Sequence, residues 1–186
     1  GAGGPLDPGR FLGNRSSGKQ GVALASAAAA RGGAVTLIAA NVEVPVPSSM
    51  ETVRVGSAAE LAEATLSAAE TADIVVMTAA VADYRPDHAL DGKISKDSQG
   101  DELTLRLVKN PDILSTLVDR RVPGQVIVGF AAETEPADAK LYERAAAQLA
   151  RKCCDLPAVN PVGWTEGLGT DVNSLTVLQR PGAPVL

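Results

Sequence analysis

A doubly wound α/β fold with a mostly parallel, Rossmann-like sheet is what the order of segments predicts. Short Val- and Ile-rich runs such as DIVVMTAAV (73–81) and QVIVGFAAET (125–134) alternate with Ala-rich stretches of helical composition. Aromatics make up only 3% of 186 residues while hydrophobics reach 45%, which favours closely packed helices on a branched aliphatic sheet over a β-sandwich. That length suits a single domain spanning 1–186 with a core of its own.

Each element follows from its local signals. GKQGVALASAAAAR (18–31) has helical composition, with Ser16 or Ser17 as N-cap candidate and Gly32-Gly33 as the stop. AVTLIAA (34–40) reads as a buried parallel strand, and after the breaks at Pro45 and Pro47, TVRV (52–55) reads as another. Ser57 with Glu60 three residues on forms a capping-box pattern that opens the helix AELAEATLSAAE. DIVVMTAAV follows as a strand. NPDILSTLVDRR (110–121) is a helix with Pro111 at its first position. QVIVGFAAET is a strand, 137–152 a helix, and LPAVN (156–160) and SLTVL (174–178) close the alternation.

Residues 83–109 interrupt this order. ELTLRLV alternates Leu103, Leu105 and Leu107 with Thr104 and Arg106, as a half-buried antiparallel strand does, so a strand is expected over 102–108. The polar, Gly-containing stretch 87–100 before it reads as a mobile loop, and an excursion of this length serves as a lid or an association element. Three leucines on one face of an excursion need a covering surface, either a second copy of the chain or the sheet of the same subunit.

Charge and composition exclude several classes. A net charge of −5 without a basic run argues against nucleic acid as a partner. No apolar run approaches a membrane span and no signal peptide is legible, so no membrane partner and a cytoplasmic location are expected. Cys153 and Cys154 are adjacent, a poor geometry for a disulfide, and read as reduced packing residues. With one His beside them they make no zinc site, and no metal ligand set is expected from protein side chains.

GNRSSGKQG (13–21) nearly matches the P-loop, with Gly13, Gly18 and Lys19 in register and Gln20 where a metal-binding hydroxyl is needed. A P-loop also follows a strand, whereas GGPLDPGRFL, with two prolines, makes a poor one. Ser16-x-x-Lys19 matches a penicillin-binding-protein nucleophile motif without its partner motifs, and a Ser-His-Asp triad would have to use His88 in the mobile loop. The plain reading is helix capping by Ser16, Ser17 and Gly18. Asn14, Arg15 and Lys19 add polar groups around that helix N-terminus and make it a ready anion site.

Taken in order, PLDP, RFLGNRSSGKQG, TAAVADYRP, GKISK, LVKNPDIL and VGFAAET, with a basic helix end before CDL, resemble the phosphopantothenoylcysteine synthetase family over nearly the whole chain. The resemblance implies a ligase of coenzyme A biosynthesis that uses CTP, 4′-phosphopantothenate and cysteine. The acid is first converted to an acyl-cytidylate with release of pyrophosphate, and the cysteine amine then displaces CMP. It also implies Mg2+ as cofactor for the CTP, a homodimer, and in many bacteria fusion to a decarboxylase.

The resemblance assigns roles by position. Asn14 acts on the acyl-cytidylate, and Gly13, Asn14, Arg15, Ser16, Ser17 and Gly18 form the phosphopantothenate loop. Met77, Thr78, Ala79 and Ala80 form the strand end that the nucleotide approaches, with acidic Asp83 beside it. Lys93 closes over the reacting groups from the loop. Pro111, Asp112, Ile113 and Leu114 contact CTP at a helix start, Phe130 lies near the base, and Gln148 and Lys152 take the paired positions facing the triphosphate. Without the resemblance, Asn14 is a turn residue, Asp83 a loop-entry cap, Lys93 a solvated lysine, Phe130 a core residue and Pro111 a helix start.

Three departures stand out. The family's G-G-T-R-E-P is shortened here to Gly3-Gly4-Pro5, Gln148 replaces a basic residue, and the C-terminal helix after SLTVL is missing. Two other functions fit a sheet of this kind: a nicotinamide-dependent oxidoreductase and a non-catalytic nucleotide-binding module. The first lacks the G-x-G-x-x-G turn after an opening strand and the acidic residue that follows it.

Overall fold

The computed structural model describes residues 1–95, 100–133, 147, 152, 154–162 and 175–178. The chain opens with an antiparallel hairpin, β1 (Gly4–Asp7) and β2 (Arg10–Leu12). Helix α1 (Lys19–Ala30) leads to β3 (Thr36–Ala40), which pairs in parallel with β4 (Glu51–Val55). Then come α2 (Ala58–Ala69), β5 (Ile74–Met77), the antiparallel pair β6 (Tyr84–Pro86) and β7 (Leu107–Lys109), and α3 (Ile113–Asp119). Strands β8 (Val126–Glu133), β9 (Leu156–Pro161) and β10 (Thr176–Val177) complete the described elements.

The architecture is mixed α/β with mostly parallel pairing. One sheet has the order β10-β9-β8-β5, with β5, β8 and β9 parallel and β10 antiparallel at its edge. Among the described residues β3 and β4 form a separate two-stranded sheet, so the expected single sheet is divided. Residues 1–3 stand between the two: the Gly1 amine donates to Ala40 O, Ala2 bridges to Val81, and Gly3 bridges to Ser57. At the edge of this sheet, β5 leaves Ile74 and Val76 exposed at 51% and 45%.

The core forms around α2 and α3, with α3 lying on β8 of the larger sheet and α2 packing on both α3 and the β3–β4 pair. Leu61, Leu117, Ile127, Val159 and Cys154 are fully buried there. Burial pushes the Cys154 thiol up, against the Gly129 amide that stabilises its charged form, in keeping with a packing residue. Gln125 ties sheet to helix, its Nε2 donating to Ala69 O at 2.7 Å and Ala72 O at 2.6 Å.

Several expectations are borne out closely. Ser57 and Glu60 make the full capping box, Ser57 Oγ accepting from Glu60 N–H and Glu60 accepting from Ser57 N–H, a device worth about 1 kcal/mol. Others are corrected. The N-cap of α1 is Gly18, not Ser16 or Ser17; its φ of 81° lies in the left-handed region, and Val42 packs where a side chain would stand. Helix α3 starts at Ile113, because Asp112 takes the N-cap role and accepts from Ser115 N–H at 3.1 Å, leaving Pro111 just outside. The strand expected over 102–108 is confined to Leu107–Lys109, the residues that reach β6, and Leu103, Leu105 and Leu107 remain exposed. The helix expected over 137–152 has only residues 147 and 152 among those described, and Cys153 lies outside them.

GGPLDPGRFL, a poor strand by its prolines, contains the hairpin β1–β2. Pro8-Gly9 makes its tight turn, and the buried Asp7 carboxylate holds it by accepting from Gly9 N–H at 2.8 Å and from Arg10. Asp7 also accepts from Ile94 N–H at 3.0 Å, and Arg10 donates to Ile94 O at 3.2 Å, so the middle of the excursion is fastened to the hairpin. The Ile94 amide first, then Gly9 N–H and Arg10, hold the Asp7 carboxyl below its ordinary value against the opposing effect of burial. Within 87–100, residues 96–99 lie outside the described residues.

Candidate functional site

The carboxyl ends of β5, β8 and β9 open into a cavity of about 710 Å³, an ordinary size for a small-molecule site. This is where parallel α/β sheets hold ligands, because the loops after the strands diverge there and leave a crevice. The strand-end segment Met77–Asp83 forms one wall. Asn110 and the start of α3, Pro111–Leu114, form a second, and the start of α1 with its preceding loop forms a third. Phe130, Lys152 and Asn160 also line it, together with the end of β3.

Most of the residues chosen from sequence therefore meet. Asn14, Ser16, Ser17 and Gly18 reach the wall, as do Met77, Thr78, Ala79, Ala80, Asp83, Pro111, Asp112, Ile113, Leu114, Phe130 and Lys152. Gly13, Arg15 and Lys93 are not part of the lining. Gln148 lies outside the described residues. Helix α1 comes close because Gly21 has no side chain: a Cβ there would stand 2.9 Å from Thr78 Oγ1.

Charge is arranged locally. Lys152 Nζ pairs with Asp112 Oδ2 at 3.1 Å, so the cation expected to meet phosphate is held at the N-terminus of α3. Burial acts to raise the Asp112 carboxyl, but Ser115 N–H and Lys152 together outweigh it and hold its pKa below the ordinary value. Lys19 and Lys109 add two further cations to the lining. An acidic chain thus concentrates positive charge and apolar surface in one crevice, suited to an anionic ligand with a flat apolar part.

Lys19, read from sequence as part of an anion site at the helix N-terminus, does line the cavity, whereas sequence reasoning missed Lys109, Asn110 and Asn160. Asn160 had a usable signal, a polar residue at the end of the apolar segment LPAVN; it stands opposite Ala132 in the β8–β9 register and is 6% exposed. Asn110 directly precedes the PDIL segment but gave no signal of its own, since its partners are Ala82 and Arg85, distant in sequence.

The family model for the DNA/pantothenate metabolism flavoprotein C-terminal domain matches residues 2–185. The chain is 49% identical over 184 residues to the coenzyme A biosynthesis bifunctional protein CoaBC of Mycobacterium bovis, covering 96% of this chain. It is 41% identical over 184 residues to the CoaBC protein of Escherichia coli K12, covering 98% of this chain. It spans 44% of the length of each of these two relatives. The crystal structure of the C-terminal domain of a CoaBC protein superposes with a TM-score of 0.76 at 31% identity, covering 97% of this chain and 78% of that one.

Proposed function

Because the chain belongs to the DNA/pantothenate metabolism flavoprotein C-terminal domain family, homologous to the C-terminal part of CoaBC proteins, we propose that it is a phosphopantothenate–cysteine ligase that uses CTP. The observation that carries this reading is the meeting of Asn14, Ala79, Ala80, Asp83, Pro111–Leu114, Phe130 and Lys152 on one cavity. These residues come from five separate stretches of sequence. The sheet is read as the doubly wound, Rossmann-like type, with ligands at strand carboxyl ends.

In the first step a carboxylate oxygen of 4′-phosphopantothenate attacks the α-phosphorus of CTP, and pyrophosphate leaves. In the second the amine of cysteine attacks the acyl carbon, a proton is lost from nitrogen, and CMP leaves with the electrons of the broken acyl–oxygen bond. The protein's contribution is to hold the two anions together and to donate to the oxyanion that develops on the acyl oxygen. Lys152 and the N–H groups at the start of α3 face the triphosphate, and Phe130 with Met77 provides apolar surface for the base. Asn14 donates to the acyl oxygen, and Gly13 to Gly18 carry the phosphopantothenate. Lys93, exposed and outside the lining, brings its cation over the reacting groups once both substrates are bound.

Mg2+ belongs to this reading. Among the described residues the lining carboxylates are Asp83 and Asp112, and no cluster of three or more His, Cys, Asp or Glu could hold an ion alone. With Asp112 engaged by Lys152, the residues fit an ion carried in on the phosphate oxygens, with Asp83 as the carboxylate facing it. Such an ion neutralises phosphate charge when bound.

The deciding assay is pyrophosphate release. We expect it to require CTP, 4′-phosphopantothenate and Mg2+ together, and cysteine to be consumed only afterwards. Release with any one omitted, or nicotinamide reduction instead, would sink the ligase reading. The oxidoreductase is disfavoured by geometry too: α1 follows the antiparallel hairpin β1–β2, so no parallel strand aims its N-terminus at a dinucleotide. A non-catalytic binding module would bind CTP and release nothing.

A homodimer in the cytoplasm completes the reading. No helix among the described residues is long and apolar enough to cross a membrane. Leu103, Leu105 and Leu107 are exposed at 43%, 39% and 42%, an apolar run that a second subunit would cover. Leu105→Asp is expected to sediment as a monomer, retain its helical circular dichroism and lose ligase activity, because the carboxylate is costly to bury unpaired. A fully active dimer would rule that surface out.

A further inference from the structure

Asn110 stands between two walls of the cavity and has no part in the chemistry above. It is 6% exposed and immediately follows β7. Its Nδ2 donates to Ala82 O at 2.7 Å, while an Arg85 guanidinium nitrogen donates to its Oδ1 at 3.2 Å. Its backbone N–H donates to Asp83 O at 2.8 Å. The same Arg85 nitrogen donates to Lys109 O at 2.9 Å. The strand-end wall, Met77–Asp83, and the α3-start wall, Pro111–Leu114, are therefore joined at this residue.

The chemistry of the joint is directional. A guanidinium can only donate, so Arg85 claims the amide oxygen and turns the amide nitrogen toward the Ala82 carbonyl. No apolar residue of similar size could satisfy both partners, and a buried carbonyl left without a donor is costly.

We propose that Asn110 is a positioning residue for the nucleotide: it sets the separation of the Ala79–Asp83 and Pro111–Leu114 segments, so that the cleft between them exists before the ligand arrives. This rests on the reading of those two segments as the nucleotide site. Without the tie the walls sample other separations, and affinity falls by the fraction of time the cleft is competent.

The test uses Asn110→Asp, Asn110→Ala and Arg85→Ala. Asp nearly preserves size and still accepts from Arg85, but it sets a carboxylate oxygen against Ala82 O. Calorimetric Kd and steady-state KM for CTP are expected to rise about tenfold for both Asn110 variants, the factor for a cleft competent a tenth of the time. Arg85→Ala should move the same constants in the same direction. The kcat and the KM for 4′-phosphopantothenate should stay close to wild type. In the nucleotide-free protein, hydrogen exchange at the Ala82 and Asn110 amides should accelerate while α2 is unchanged.

A residue that only stabilised the fold would lower Tm and the active fraction and leave the KM for CTP of the surviving enzyme unaltered. That outcome, or unaltered exchange at Ala82 and Asn110, overturns the proposal. A wild-type protein that binds no CTP removes the nucleotide reading instead, and the exchange measurement still decides whether Asn110 fixes the two walls.

Discussion

Asn14→Asp is expected to stop the proposed reaction halfway. Asn14 reaches the cavity from the loop between β2 and α1, beside the strand-end segment that the nucleotide would approach: its carbonyl oxygen and that of Ala80 both lie 3.2 Å from where a Gly1 Cβ would stand. When cysteine attacks the acyl-cytidylate, negative charge gathers on the acyl oxygen, and an amide N–H can stabilise it. A carboxylate cannot donate and carries charge of the wrong sign. Losing one such donor costs about 2.7–4 kcal/mol in the barrier, or roughly 100- to 1000-fold in rate. Attack of the substrate carboxylate on phosphorus develops its charge elsewhere and should slow far less. Pyrophosphate should therefore appear in a burst of about one equivalent per site, in the manner of covalent-intermediate kinetics. The acyl-cytidylate should remain bound and be detectable by mass spectrometry. Equal loss in both half-reactions would remove Asn14 from this role, and so would no loss in either.

What the sequence made legible follows from which forces act locally. The capping box at Ser57, the alternation of strands and helices, and the gathering of strand ends at one cavity all come from short-range pattern. The hairpin β1–β2 does not. Its prolines argue against a strand, and what holds it is the buried Asp7 carboxylate with Gly9, Arg10 and the distant Ile94. The alternating leucines of 102–108 misled for the opposite reason. Their period is that of a strand, but among the described residues the segment joins a ladder only at Leu107–Lys109, and an alternating segment without a paired backbone is not a strand. In the site, residues with a chemical signature were found. Asn110 was not, because its role is defined by Ala82 and Arg85 and by nothing in its neighbourhood in sequence.

The largest loss of stability is expected from Asp155→Ala, at a residue that sequence reading passed over. Asp155 stands just before β9 and is 3% exposed. Its Oδ2 accepts from Ile127 N–H at 2.8 Å, and its own N–H donates to Ile127 O at 2.8 Å. The side chain thus adds a rung to the β8–β9 ladder, one residue before the first main-chain pair, Val128 with Leu156. Its Oδ1 accepts from Arg121 at 2.9 Å. Removing the carboxylate leaves the buried Ile127 N–H unpaired and takes one acceptor from Arg121, whose side chain is partly exposed. A buried donor left unsatisfied costs about 1–3 kcal/mol. For a chain of this size that is roughly 2–12 °C in Tm. Asp155→Asn keeps an acceptor for Ile127 and should lose clearly less, which separates the hydrogen bond from the charge. The consequence extends to the cavity, because β9 carries Asn160 to its wall and successive strand residues face opposite sides. A looser start to β9 should weaken ligand binding as well as stability. Thermal unfolding of the two variants decides the matter: equal and small losses would mean that Arg121 and Ile127 find other partners, and that register is held elsewhere.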